Sequence, residues 1–183
     1  MIMIQEQPPP NTLELHIMFS SLFVLYSILG FIMEIIFKVS FNFQTHSGFL
    51  FGPYCVVYGF GITFIYFIFE KIEKKLRFHT IIKYFLYFLL SFVILSVFEF
   101  IGGYFLELIL DKTLWNYKNH FLNIGKYISL EMSFLWSVGA ILAFTFLKPL
   151  TDKIYFKINK NIIKISLLIM LIDFILTLIF KLK

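Results

Sequence analysis

Charge is scarce in this chain. Only 15% of its 183 residues are Asp, Glu, Lys or Arg, against about 25% in soluble domains. Apolar residues reach 60% and mean hydropathy is +0.86. A soluble fold of this size would leave much of that surface in water, which excludes a soluble enzyme, a nucleic-acid-binding module and a disordered chain. Cysteine is nearly absent: Cys55 alone excludes a disulfide within the chain and any C-x-x-C metal site. There is no G-x-x-x-x-G-K-[ST], so the chain cannot hydrolyse ATP through a phosphate-binding loop of its own. H-E-x-x-H and G-x-S-x-G are missing as well, and with them the commonest zinc-protease and serine-hydrolase signatures. The four histidines (His16, His46, His79, His120) are scattered. No catalytic residue, metal site or cofactor site is legible. Low-complexity tracts and internal repeats are also lacking.

What is present is a series of long apolar runs. A hydrocarbon core of about 30 Å needs roughly 20 helical residues to cross, and five stretches qualify: about 15–37, 48–69, 84–110, 129–147 and 162–180. The expected fold is all-α, a polytopic transmembrane helix bundle forming one integral-membrane domain over residues 1–183, with the lipid bilayer as its partner and no nucleic acid. Asn11-x-x-Glu14 reads as a capping box ahead of the first span. The N-terminus lacks the basic region of a secretory signal, so the first span is expected to be retained. The second is interrupted by Gly52-Pro53 and by Gly59-x-Gly61, and irregular backbone at membrane depth survives only where protein or a cavity covers it. A re-entrant or broken start is one reading of this stretch; a Gly48/Gly52 packing face followed by a proline-capped helix is the other.

Basic residues set the expected orientation. Lys71, Lys74, Lys75, Arg77 and Lys83 fall in the second loop, and Lys148, Lys153, Lys157, Lys160 and Lys164 in the fourth. Lys38, Lys112, Lys118, Lys126, Lys181 and Lys183 fall on the other side. Ten against six places the second and fourth loops in the cytoplasm, with the N-terminus inside and the C-terminus outside a multi-pass protein of the cytoplasmic membrane.

Carboxylates inside the spans are costly, at least about 2.5 kcal/mol on insertion scales. Tyr26, Gly30 and Glu34 recur at i, i+4, i+8, and Glu99, Gly103 and Glu107 repeat the device, each set making one stripe along a helix. Small residues beside the acid let another helix approach closely. Glu34 and Glu99 read either as a polar site in the outer half of the membrane or as glue between helices. Glu107 and Glu131, near helix ends, read equally as snorkelling to the interface. Asp173 lies within the fifth span, where it serves a site or pins helix packing through a hydrogen bond. Trp115, Tyr117 and Phe121 suit an interfacial aromatic belt, while Asn116, Asn123 and His120 are candidates to line a pocket beneath it.

At the two outer loops the sequence becomes familiar. Gly48-Phe-Leu-Phe-Gly-Pro-Tyr-Cys-Val-Val-Tyr-Gly-Phe-Gly61 resembles the G-F-L-x-G-P-x-x-P-[IV]-Y-G-x-G signature of the bacterial membrane family known as putative ABC-transporter type IV. Tyr26-Ser27-x-x-Gly30-x-x-x-Glu34 is similar to its Y-S-x-x-G-W-x-x-E. Glu99-Phe100, Leu106-Glu107, Trp115-Asn116-Tyr117, Phe121, Asn123 and Ile128-Ser129-Leu130-x-x-Ser133-x-x-Trp136 resemble its later motifs. The likeness runs from about Phe19 to Pro149. It departs at His46-Ser47, where the family has Asn-Arg, at Val56 for the signature proline and at Asn116 for an aspartate.

The resemblance implies a permease-like transporter component, powered by a separate ATPase subunit docking on the basic loops; five spans in one chain point in addition to an oligomer. The expected site is an outward-facing polar cavity built from Tyr26, Glu34, Glu99, Glu107, Trp115, Tyr117 and Asn123. Its structural wall is Gly48, Gly52, Pro53, Tyr58, Gly59 and Gly61. The substrate is not legible. Two other classes stay open beside it: a membrane-embedded enzyme acting on a lipid-linked or peptide substrate, with Glu34, Glu99, Glu107 and His120 as acid/base groups, and a non-catalytic membrane subunit.

Overall fold

The structure, a computed structural model, describes residues 12–41, 49–75, 79–111, 113, 115–154 and 157–181. It is a helical bundle. Helix α1 spans Thr12–Phe41, α2 Val56–Lys75 and α3 Thr80–Leu110. A two-stranded antiparallel hairpin follows, β1 Asn123–Ile124 and β2 Ile128–Ser129. Next come α4 Leu130–Leu142, a π-helical turn Ala143–Leu147 and α5 Lys148–Ile154, which run on as one rod, and finally α6 Lys160–Lys181. Among the described residues, four helical stretches are long and apolar enough to cross a membrane: Thr12–Ile36, Thr80–Ile109, Leu130–Ile154 and Lys160–Phe180.

The second expected span is the one that changes. Its helix starts at Val56, not near residue 48, and carries Glu70, Lys71, Glu73, Lys74 and Lys75 in its final turns. Proline has no N–H and disfavours helix at the residue before it, so Gly52-Pro53 delays the helix. Residues 49–55 instead form a bent segment held from outside. Phe51 N–H and Gly52 N–H donate to Asp173 Oδ1 (3.1 Å) and Oδ2 (2.7 Å) on α6, and Cys55 N–H donates to Ser27 O on α1 (2.9 Å). Asp173 therefore satisfies backbone that no helix satisfies. Gly48, His46, Ser47 and the Asn11 cap lie outside the described residues.

Aromatic and aliphatic side chains fill three interfaces. Met18, Leu22 and Tyr26 of α1 pack on Tyr66 of α2. Ile65 and Phe69 of α2 meet Tyr87 of α3 and Ala140 and Phe144 of the α4 rod. Phe69 stacks on Tyr87 at 3.9 Å, with Phe144 edge-on to both. Phe23 and Val24 meet Met170 of α6. Small hydroxyl residues fill the tightest places: Ser21, Ser27, Thr63, Ser91, Ser133, Ser137 and Thr177 are fully buried. Ser96 donates to Ser133 Oγ across α3 and α4 (2.7 Å). Small residues let helices close on one another where lipid supplies no hydrophobic drive between them. Phe85, Ile101, Phe105 and Leu108 of α3 point outward, each more than half exposed, as expected of a lipid-facing surface.

Candidate functional site

The buried acid of α3 gathers the site. Glu99 is 8% exposed. Its Oε1 accepts from Tyr117 OH (3.0 Å) and from Trp136 Nε1 (2.8 Å) on α4. Its Oε2 is buried with no hydrogen-bond partner among the described residues. Tyr58 of α2 stands edge-on to Trp136, with ring centroids 5.3 Å apart. Glu34 of α1 is close enough to act electrostatically on Cys55, Tyr58 and Tyr117. Burial, and then the Glu99 carboxylate, push the Tyr117 phenol up, so Tyr117 keeps its proton and stays a donor. Two carboxylates and three aromatic residues thus converge from α1, α2, α3, α4 and the loop between α3 and β1.

Gly30 makes that convergence possible. A Cβ there would fall 2.4 Å from Tyr58 Cβ and 2.6 Å from its Cγ, distances that real Cβ contacts do not reach. Gly59 likewise faces Ser27 Oγ at 2.1 Å. Gly61 has a softer neighbour, Leu95 Cδ2 at 3.0 Å.

Glu107, one helical turn pair further along α3, does something different. It accepts from Lys126 Nζ and from Tyr127 OH (2.6 Å), and that carboxylate, followed by burial, pushes the Tyr127 phenol up to about 12. Trp115 Nε1 donates to Tyr127 O (3.1 Å). A Cβ on Gly103 would meet Tyr127 at 2.8 Å and Trp115 at 3.0 Å. The glycines beside the α3 acids therefore admit loop aromatics here, where another helix was expected. Asn123 donates to Lys118 O (2.8 Å) and His120 O (3.0 Å), and Gly125, at φ 62°, turns the hairpin. His120 Nδ1 lies 2.7 Å from Glu131 Oε2, and its ring is edge-on to Tyr117. Glu107, Trp115 and Asn123 shape the loop that delivers Tyr117, and none of them has a hydrogen bond to Glu99. Glu107→Gln should raise amide hydrogen exchange across 115–129 and leave α1 and α2 unchanged; equal protection in both proteins would show that the pin is dispensable.

Tyr26 goes elsewhere. Its hydroxyl pairs with Thr151 Oγ1 (3.2 Å) on α5, next to Tyr66 OH, which donates to Asp152 Oδ1 (2.5 Å). Lys148 Nζ bonds Asp152 Oδ2 (2.6 Å) and lies over the Tyr66 ring. Tyr26 therefore belongs to a polar knot near the basic-loop end of the bundle, away from Glu99. Of the expected wall, Gly52 and Pro53 lie in the bent segment tied to Asp173, whereas Tyr58 stands in the site itself. Trp136 is the member that the residue pattern left out; an indole N–H in an otherwise apolar helix demands a partner, and that was the available signal. Among the described residues no group of three His, Cys, Asp or Glu is placed to hold a metal ion.

No curated protein and no solved structure matches the chain. A family model does, described as Putative ABC-transporter type IV and aligned over residues 21–182, further toward the C-terminus than the motifs alone reach. This multi-pass membrane protein belongs to that family.

Proposed function

We propose that the chain is the single-domain permease subunit of a transporter in the cytoplasmic membrane, N-terminus inside and C-terminus outside, and that the Glu99 cluster recognises its solute. The carrying observation is the state of the Glu99 carboxylate. Nine-tenths buried, it spends one oxygen on Tyr117 and Trp136, while the other has no partner and no basic side chain stands against it among the described residues. An acceptor in that condition costs free energy unless it is protonated or a ligand donates to it. Glu34, Tyr58 and Tyr117 complete an outward-facing polar cavity, with the 115–129 loop as its cover. Energy comes from a separate ATPase on the basic loops, since the chain has no phosphate-binding loop, and the working unit is an oligomer.

Native mass spectrometry of wild-type and Glu99→Gln protein, gently extracted from their own membrane, tests this. The expected result is a small solute retained by the wild type and lost by Glu99→Gln, with the same oligomer and the same ATPase subunit in both. Loss of assembly in Glu99→Gln would mark a structural subunit instead. Unchanged solute in a folded Glu99→Gln protein would remove Glu99 from recognition.

One observation favours a second reading, an enzyme acting on a lipid-linked or peptide substrate: the His120–Glu131 pair beside Tyr117 is a ready proton carrier. A bare wild-type protein holding one lipid species, and turnover of that lipid abolished by His120→Gln, would select it.

A further inference from the structure

We propose that the cleft between α2, α3, the π turn and α5 binds the headgroup of an aminophospholipid, a phosphodiester bearing a primary ammonium. The cleft has a volume of about 300 Å³ and is lined by Glu73, Tyr84, Tyr87, Phe144, Thr145, Lys148, Pro149 and Asp152. At roughly 30 Å³ per water it holds about ten waters, enough for a small headgroup. It is separate from the Glu99 cluster and shares no residue with it.

The charges in the cleft select the ligand. Lys148 Nζ gives one hydrogen bond to Asp152 and lies 4.9 and 5.7 Å from the Tyr66 and Phe144 ring centroids. An ammonium has three N–H donors, so two remain for a phosphate, with the Thr145 hydroxyl beside them. Glu73 accepts from Lys83 through one oxygen (3.2 Å); a carboxylate has further lone pairs to accept from an ammonium. Each acid of the lining has a lysine partner, Glu73 with Lys83 and Asp152 with Lys148, so the cleft is close to neutral and disfavours a ligand of net charge of either sign. A zwitterion satisfies both sides.

The surroundings select a lipid as its source. Ile81 and Phe85 flank Tyr84 on α3 and Phe146 follows Thr145, each 60% exposed or more, an apolar flank for acyl chains that a soluble amine would not need. Tyr84 and Tyr87 have the amphipathic character that places aromatic side chains at headgroup level. The cleft sits at the end of the bundle carrying the second and fourth loops, where ten of the sixteen basic residues lie, and basic residues next to spans attract phosphate headgroups to the membrane surface there. The π turn widens the rod at this point, a distortion found frequently at functional sites.

Delipidated full-length protein titrated with phosphatidylethanolamine, phosphatidylglycerol, phosphatidylcholine and free phosphoethanolamine, read by native mass spectrometry, tests the proposal. Wild type should hold phosphatidylethanolamine on the order of tenfold more tightly than the other two lipids, the scale of one charge-assisted hydrogen bond. Glu73→Gln should erase the preference over phosphatidylcholine, whose quaternary ammonium cannot donate. Lys148→Gln should weaken all three, and Thr145→Val, which leaves the Lys148–Asp152 pair in place, should weaken them less. Thermal unfolding of each variant establishes that it is folded. Equal retention of the three lipids by wild type, or an intact preference in folded Glu73→Gln, overturns the proposal. Free phosphoethanolamine binding as tightly as the lipid overturns the lipid source.

Discussion

Gly30→Ala should destabilise the protein by about 3 kcal/mol, the upper end of what overpacking costs, and lower its melting temperature in detergent by many degrees. The added methyl would meet Tyr58 Cβ at 2.4 Å. A Cβ is fixed to its backbone, so no rotamer change relieves the clash and α1 must part from α2. The separation would also pull Tyr58 off Trp136, so solute retention should fall together with stability. Gly139→Ala supplies the contrast: nothing lies within 4 Å of a Cβ there, and alanine is favoured over glycine inside a helix by about 1 kcal/mol. The same chemical change should thus damage one helix and leave the other equal or firmer. Identical melting curves for Gly30→Ala and wild type would mean that the α1–α2 contact is looser than the geometry has it.

Asp173→Ala should release the bent segment at 49–55. Two backbone N–H groups would lose their acceptor, and a donor left unsatisfied away from water costs roughly 1–3 kcal/mol. Cys55 reports the result directly, being the only cysteine and buried at 9% exposure. If the segment opens by about 3 kcal/mol more readily, alkylation of Cys55 should accelerate on the order of 100-fold. Asp173→Asn keeps one carbonyl acceptor and should fall between. Unchanged alkylation in Asp173→Ala would show that the Cys55–Ser27 contact alone holds the segment.

The helices were legible because their apolar runs are long and few other folds could use them. Within the spans the acids stood out for the same reason: Glu34 and Glu99 interrupt runs where charge is costly, and the structure draws both toward Tyr117. Depth was harder to read than face. Tyr26 and Glu34 share a stripe, yet eight residues of helix separate them by about 12 Å, so one reaches α5 and the other the surroundings of Tyr117 in the loop between α3 and β1. Gly52-Pro53 announced a break but not its remedy, because Asp173 lies some 120 residues away and no local pattern connects the two. Trp136 and Tyr58 were recognisable as motif letters only; their meeting across α2 and α4 depends on Gly30, whose service is to be small.

The π turn at Ala143–Leu147 sets the angular phase of everything after it. Each helical residue advances the chain by about 100°, and a π turn holds one residue more than the α-helical turn it replaces. Lys148, Thr151 and Asp152 therefore come round to face Tyr66 and Tyr26 only because that residue is there. Removing it would work on this rod as a frameshift works on a reading frame: every side chain downstream would keep its identity and present it in the wrong direction.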